Sequence, residues 1–308
     1  MSVLSFAAGS KKPGRHHPLH LCGLMPVFIA AIALGLSGCS GITRLYFAPT
    51  GKLYRDPAAD GMKYEVIKFR SEDGVELTGM FFPSGTPPLG TVVHMHGNAE
   101  NMTSHYQYSA WLAGEGFNVF VFDYRGYGAS GGKAELDGAV RDAVSALKQV
   151  RKIPTVDPAR IIVFGQSLGG ALASAAIAES GLPVPAALVL EGTFSSYKGV
   201  GAAVMRRKWW SWPFSWLSLL LVKEEHSPLK AIAKINCPKL FIHSEKDPIV
   251  PYGEGRRLYD AAPQPKEFWP VPYGHTDAFY GQRETYGPRL LAYLKSVLPS
   301  LPPVSAGH

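Results

Sequence analysis

Ile161-Ile162-Val163-Phe164-Gly165-Gln166-Ser167-Leu168-Gly169-Gly170, continuing through a run of small residues to Ala178, decides the fold. Unbroken Ile, Val and Phe suit a strand buried on both faces of a parallel sheet, and Gly169 to Ala178 suits a helix packed close against it. Between them, Gly-x-Ser-x-Gly sets Ser167 on a sharp strand-to-helix turn. Small neighbours there let the serine take a strained backbone and expose its hydroxyl. The spacing arises often by chance, so its weight comes from the strand before it, the helix after it and the partners supplied elsewhere.

Outward from this turn the same alternation recurs. Thr91 to His94, Phe117 to Phe122, Ala187 to Leu190, Lys239 to His243 and Glu267 to Val271 read as further buried strands. Leu136, Val140, Val144, Leu147 and Val150 fall on one helical face. Upstream, Tyr64 to Phe69 alternates as a half-buried strand, and Glu72-Asp73-Gly74 turns it into a second strand, Val75 to Phe82, making an antiparallel hairpin. The expectation is an α/β fold, an eight-stranded mostly parallel sheet with helices on both faces. Thr193 to Ser227 breaks the pattern. It holds Trp209, Trp210, Trp212, Phe214, Trp216 and the run Leu217 to Val222, preceded by Arg206, Arg207 and Lys208. It reads as a short Trp-rich cap insertion whose aromatics form a small core, roof the pocket and contact substrate; the other reading is an exposed amphipathic surface for lipid headgroups.

A serine hydroxyl needs a neutral imidazole to take its proton and a carboxylate to orient that imidazole. His275, in Gly274-His275-Thr276, follows the last strand and precedes the C-terminal helix, where a loop can return it to the sheet edge. His94 and His243 lie in or at the ends of apolar strands, and His105 and His226 in helical or cap segments, so they serve worse. For the acid, Asp247 lies just past the strand Lys239 to His243 and 28 residues before His275. Glu191, ending an earlier strand, is its rival. The negative charge of a tetrahedral intermediate demands preorganised donors. The backbone N–H of Leu168 is one, and His96-Gly97-Asn98-Ala99 offers the N–H of Asn98 as the other.

With these residues assembled, residues 60 to 298 resemble the α/β-hydrolase superfamily, whose chain order of nucleophile, acid and base is Ser167, Asp247, His275 here. The segments His96 to Ala99, Asp123-Tyr124-Arg125-Gly126-Tyr127-Gly128, Gly165 to Gly170 and Gly274-His275 are similar to the branch of small single-domain serine hydrolases that includes membrane-associated α/β-hydrolase-domain proteins and depalmitoylases. That resemblance implies hydrolysis of carboxylic esters or thioesters through an acyl-enzyme, with no metal and no organic cofactor, and a structural role for Asp123 to Gly128. It does not choose a substrate, because the superfamily hosts many. A prolyl-oligopeptidase-like peptidase and a non-catalytic binding lipoprotein are the alternatives. Against the peptidase, about 20 residues precede the first strand of the mature chain, too few for the propeller such enzymes usually carry.

Composition bounds the rest. The chain has 308 residues, 46% of them hydrophobic and 18% charged, which excludes a disordered chain and leaves enough apolar surface for one large domain. The net charge of +7 suggests nucleic acid only until it is located: Lys11, Lys12 and Arg15 lie in the first 38 residues, which hold no acid, and the remainder carries an ordinary +4. Those cations precede an apolar stretch from Leu21 to Leu36, interrupted at Pro26 and too short to be a comfortable span. It ends Leu36-Ser37-Gly38-Cys39, which resembles a bacterial lipobox and implies that residues 1–38 are a signal peptide and Cys39 the lipidated first residue of the mature chain. Ser40 rather than Asp after Cys39 favours the outer membrane, facing the periplasm. The expected organisation is then a tether over 39–60, a hydrolase domain over 61–299 with its cap at about 193–227, and a tail over 300–308. Partners are an acyl ester substrate and a membrane, with no nucleic acid. Cys22 leaves with the signal and Cys39 is acylated, so Cys237 has no partner for a disulfide.

Overall fold

The computed structural model describes residues 47–299 except 86, 208, 210, 211, 223 and 273. The signal segment, Cys39, Trp210 and the tail from 300 lie outside the described residues.

The main strands are β1 (Glu65–Arg70), β2 (Glu76–Phe82), β3 (Gly90–Met95), β4 (Phe117–Asp123), β5 (Ile161–Gln166), β6 (Ala187–Glu191), β7 (Lys239–Ser244) and β8 (Lys266–Val271). They form one sheet in the spatial order β1-β2-β4-β3-β5-β6-β7-β8. β1 and β2 pair antiparallel, with Glu65 opposite Phe81 and Arg70 opposite Glu76, and β2 is antiparallel to β4; every other neighbouring pair is parallel. The helices are α1 (Met102–His105), α2 (Leu136–Val150), α3 (Leu168–Glu179), α4 (Tyr197–Arg206), α5 (Leu217–Leu221), α6 (Pro228–Ile232), α7 (Tyr252–Ala261) and α8 (Arg283–Val297). The fold is the expected eight-stranded, mostly parallel α/β sheet with helices.

Two cores explain why the central strands carry unbroken apolar runs. In β5, Ile161 and Val163 join one core while Ile162 and Phe164 join the other; in β4, Phe120 and Phe122 divide in the same way from Val119 and Val121. Successive side chains point to opposite faces, so a strand covered on both sides needs apolar residues at every position. The first core receives the predicted face of α2, where Leu136, Val140, Val144, Leu147 and Val150 are all buried. α3 approaches closely because it is built of Gly and Ala, with Ala171, Ala173, Ala175 and Ala176 fully buried. The second core receives Leu290 and Leu294 of α8.

Three features depart from the sequence reading. β5 runs to Gln166, two residues past the apolar run, because Gly165 and Gln166 still pair with Leu190 and Glu191 of β6. Residues 47–60, expected to belong to a tether, are tied to the body of the domain. Ala48 and Pro49 pair in parallel with Ala99 and Glu100, the Asn101 amide donates to the Thr50 and Lys52 carbonyls at 2.8 Å each, and Tyr106 O–H donates to Asp60. The cap does not enclose its described tryptophans: Trp209, Trp212 and Trp216 face solvent. With two short helices, the segment has too little chain to build a core around side chains of that size. Cys237 is free and buried, and burial pushes its thiol up to about 11. Among the described residues no helix is long and apolar enough to cross a membrane.

Candidate active site

Ser167 sits between the end of β5 and the start of α3 with φ 51° and ψ −117°, a backbone conformation that a side-chain-bearing residue holds only when its surroundings impose it. Two sets of contacts impose it. The Ser167 N–H donates to the Glu191 carbonyl at 2.8 Å, fixing the turn to the end of β6. The flanking glycines then allow backbone to approach backbone: a Cβ on Gly169 would lie 2.0 Å from the Met95 carbonyl oxygen, and one on Gly165 would lie 2.5 Å from the Gly170 Cα. Gly169→Ala is therefore expected to push α3 off β3, lower stability by about 1–3 kcal/mol and cut turnover. Thermal melts and ester hydrolysis on the same preparation check this; a variant with wild-type melting and rate would contradict the close approach.

His275 and Asp247 are brought together. The Nδ1 of His275 lies 2.7 Å from Oδ2 of Asp247, whose side chain is fully buried, while the imidazole remains partly exposed. The other carboxylate oxygen of Asp247 accepts from the backbone N–H of Ile249 at 2.7 Å and of Val250 at 2.8 Å. The loop after β7 thus holds the carboxylate still, and the carboxylate holds the ring. His243 lies beside it, its Nε2 3.6 Å from Asp247 Oδ2 and 3.1 Å from the Val250 carbonyl; burial lowers the His243 pKa, which favours a neutral ring there. The His275 loop passes over Gly192, where a Cβ would come 3.2 Å from His275 Nδ1. Ser167 and His275 therefore rest on adjacent residues, Glu191 and Gly192, at the C-terminal edge of β6. Thr276, next to His275, has φ 56°, a further strained residue in this loop.

The loop after β3 crosses above the serine, with Gly97 close enough that a Cβ there would lie 3.8 Å from the Ser167 Cβ. Asn98 is fixed by its own side chain and carbonyl: Oδ1 accepts from the Ala48 N–H at 2.8 Å and from the Tyr127 hydroxyl at 3.0 Å, and that hydroxyl also lies 2.7 Å from the Asn98 carbonyl. Tyr124 O–H donates to the His96 carbonyl at 3.2 Å. The segment Asp123 to Gly128 thus braces this loop, the structural role expected of it. Arg125 ties that segment down in turn, through a buried ion pair with Asp142 at 2.8 Å and a second with Asp73, whose carboxyl Arg125 holds down at about 2.

Glu191 has a different place from the one its rivalry with Asp247 assumed. It is fully buried and accepts from the Gln166 amide at 2.8 Å and from the Ala278 N–H at 2.8 Å. Gln166 in turn lies 3.0 Å from His94 Nε2, and Ser109 Oγ lies 2.9 Å from His94 Nδ1. Burial and neighbouring histidines keep His94 well below its ordinary range, so it is neutral. One tautomer satisfies the whole line: Ser109 donates to His94, His94 to Gln166, and Gln166 to Glu191. The line joins the residue before Ser167 to the loop carrying His275. The signal in the sequence is a charged residue ending an apolar strand, but its partners are distant in the chain.

Burial outweighs these donors and pushes the Glu191 carboxyl up to about 7. The folded protein then binds this proton more tightly than the unfolded chain, so the contribution to stability is full below the unfolded value of 4.5 and is lost as pH rises towards about 7. Between pH 5 and pH 7.5 the wild type should lose about 2–3 kcal/mol relative to Glu191→Gln. Urea unfolding of both proteins at the two pH values measures this; parallel pH dependences would contradict it.

Of the tryptophans expected to touch substrate, Trp209, Trp212 and Trp216 are exposed to solvent, and Trp210 lies outside the described residues. A surface hollow of about 640 Å³ is lined by Asp137, Arg141, Glu179, Glu225 and His226 among others, and Ser167, Asp247 and His275 are not among its lining residues.

A protein family described as serine aminopeptidase, S33, matches residues 86–228. The chain is 33% identical over 282 residues to "Uncharacterized protein YfhR" of Escherichia coli (strain K12), covering 89% of this chain and 94% of that one. It is 33% identical over 256 residues to "Alpha/beta hydrolase domain-containing protein WAV2" of Arabidopsis thaliana, covering 79% and 82%. Among solved structures, an esterase of Pyrococcus furiosus superposes with a TM-score of 0.69 at 22% identity, covering 82% of this chain and 98% of that one, a likeness of fold. Strand order, the strained serine turn and these relatives agree: the chain belongs to the α/β-hydrolase superfamily.

Proposed function

We propose that the protein is a serine hydrolase that cleaves carboxylic esters or thioesters through an acyl-enzyme. The observation that carries this reading is the 2.7 Å contact between His275 and the fully buried Asp247, on a loop that rests beside the strained Ser167 turn. Ser167 Oγ attacks the acyl carbon and its proton passes to His275 Nε2. Asp247 holds the Nδ1–H of the ring and stabilises the imidazolium that forms. The N–H groups of Leu168 and Asn98 receive the developing oxyanion. His275 then gives the proton to the leaving oxygen or sulfur, and water, deprotonated by the same ring, releases the acid. Rates on p-nitrophenyl esters and acyl-thioesters of two to sixteen carbons test the reading. Turnover of either series supports it, and turnover of amino-acyl amides alone would favour a peptidase, the second reading, which rests on the family description over residues 86–228.

The same reading places the protein in the bacterial cell envelope, held by lipid on Cys39 and facing the periplasm from the outer membrane. It rests on Ser37-Gly38-Cys39 at the end of an apolar run. A single acyl chain gives marginal attachment, so two or more are required for stable anchoring, each buried methylene contributing about 0.8 kcal/mol. Cys39→Ser is expected to prevent lipid attachment and leave the signal uncleaved. Metabolic labelling with a fatty-acid analogue reads this out, and label incorporated in the variant would contradict it.

A further inference from the structure

We propose that the cap surface carrying Arg206, Arg207, Trp209, Trp212, Trp216 and Leu220 docks onto a lipid bilayer with anionic headgroups. Trp209, Trp212 and Trp216 are 88%, 62% and 53% exposed, and Leu220 is 70% exposed, with Leu219 and Val204 also open to solvent. Single exposed apolar residues are ordinary; three exposed tryptophans between positions 209 and 216, together with three exposed aliphatics, are not. The exposure is built in. Ser218 Oγ donates to the Lys198 carbonyl at 2.9 Å, which pins α5 against α4, buries Ser218 and Val222, and turns Leu219 and Leu220 outward.

Charge selects the occupant. From Gly192 to Lys223 the sequence contains Lys198, Arg206, Arg207, Lys208 and Lys223 and no Asp or Glu. Arg206 and Arg207 are exposed beside the aromatics. The next acid, Glu224, is turned inward, accepting from Ser196 Oγ at 2.6 Å and from the Lys198 N–H at 2.8 Å. A surface of one sign repels a second copy of itself and suits a partner that is negative and wide. Tryptophan with arginine is the pairing found where hydrocarbon meets headgroups: the ring spans the boundary and the guanidinium reaches phosphate. This inference stands apart from the hydrolytic reading, since it concerns binding alone.

The test uses the full chain with vesicles of phosphatidylglycerol and phosphatidylcholine whose acyl chains are brominated near the headgroup, reading tryptophan emission. More than half of the emission is expected to be quenched on anionic vesicles. In Arg206→Glu/Arg207→Glu, which keeps every tryptophan and should hydrolyse p-nitrophenyl butyrate at the wild-type rate, quenching is expected to fall at least threefold; each basic residue near such a surface contributes roughly a fivefold factor. In Trp209→Phe/Trp212→Phe/Trp216→Phe the quenched fraction should fall, which locates the contact. Emission from vesicle-bound protein that bromine does not quench overturns the proposal, and a concentration-dependent dimer in that case assigns the patch to a second copy. Equal quenching in the charge-reversed variant also overturns it. Absence of ester hydrolysis in the wild type bears on the proposed chemistry and leaves this result standing.

Discussion

Ser167→Ala is expected to lower ester turnover by about 10⁵–10⁶-fold while leaving the fold intact. The variant keeps the N–H that donates to the Glu191 carbonyl, and alanine is no larger than serine at a turn flanked by Gly165 and Gly169, so the strained backbone survives and only the nucleophile is lost. His275→Ala is expected to cost nearly as much, because a serine hydroxyl without a base stays protonated. The double variant should be no worse than either single one, since both residues act in one proton transfer. Turnover of p-nitrophenyl butyrate by the three variants, with circular dichroism to verify folding, provides the measurement. Additive losses would mean that the two side chains act separately.

Asp247→Asn is expected to cost about 10³–10⁴-fold in kcat with little change in KM. In the proposed mechanism the carboxylate performs two tasks. It selects the tautomer with hydrogen on Nδ1, leaving Nε2 free to receive the serine proton, and it offsets the positive charge that His275 acquires. Asparagine retains an oxygen for the N–H groups of Ile249 and Val250, so the loop after β7 should keep its shape. What is lost is the charge at 2.7 Å from His275. Glu191 cannot replace it, because both its oxygens are engaged by Gln166 and Ala278. A fully active Asp247→Asn enzyme would reassign the acid.

Features of the fold are legible in the sequence where the interactions that govern them are local. The strands declared themselves because each central one is covered on both faces, and the serine turn because its glycines are neighbours of the serine in sequence. His275 and Asp247 were legible from their positions just past predicted strands, at the sheet edge where loops converge. Residues 47–60 gave no such sign. Their placement depends on the Asn98 and Asn101 side chains capturing backbone groups about fifty residues away, and such contacts leave no periodicity. Glu191 was visible as an anomaly at a strand end, but only folding brings Gln166 and Ala278 to it. The cap departs from its reading because aromatic composition signals burial, whereas Trp209, Trp212 and Trp216 face solvent on a segment with too little chain to enclose them.

Whether Ser167 is an activated nucleophile is open to direct chemical test. A fluorophosphonate probe reacts with a serine only where a base and an oxyanion site are already assembled, so it reports that state without requiring the natural substrate. Peptide mapping after labelling should find one modified residue, Ser167, with labelling lost in Ser167→Ala and slowed by at least 10³-fold in His275→Ala. Folded wild-type protein that remains unlabelled, or label that persists at another serine in Ser167→Ala, would contradict an activated Ser167.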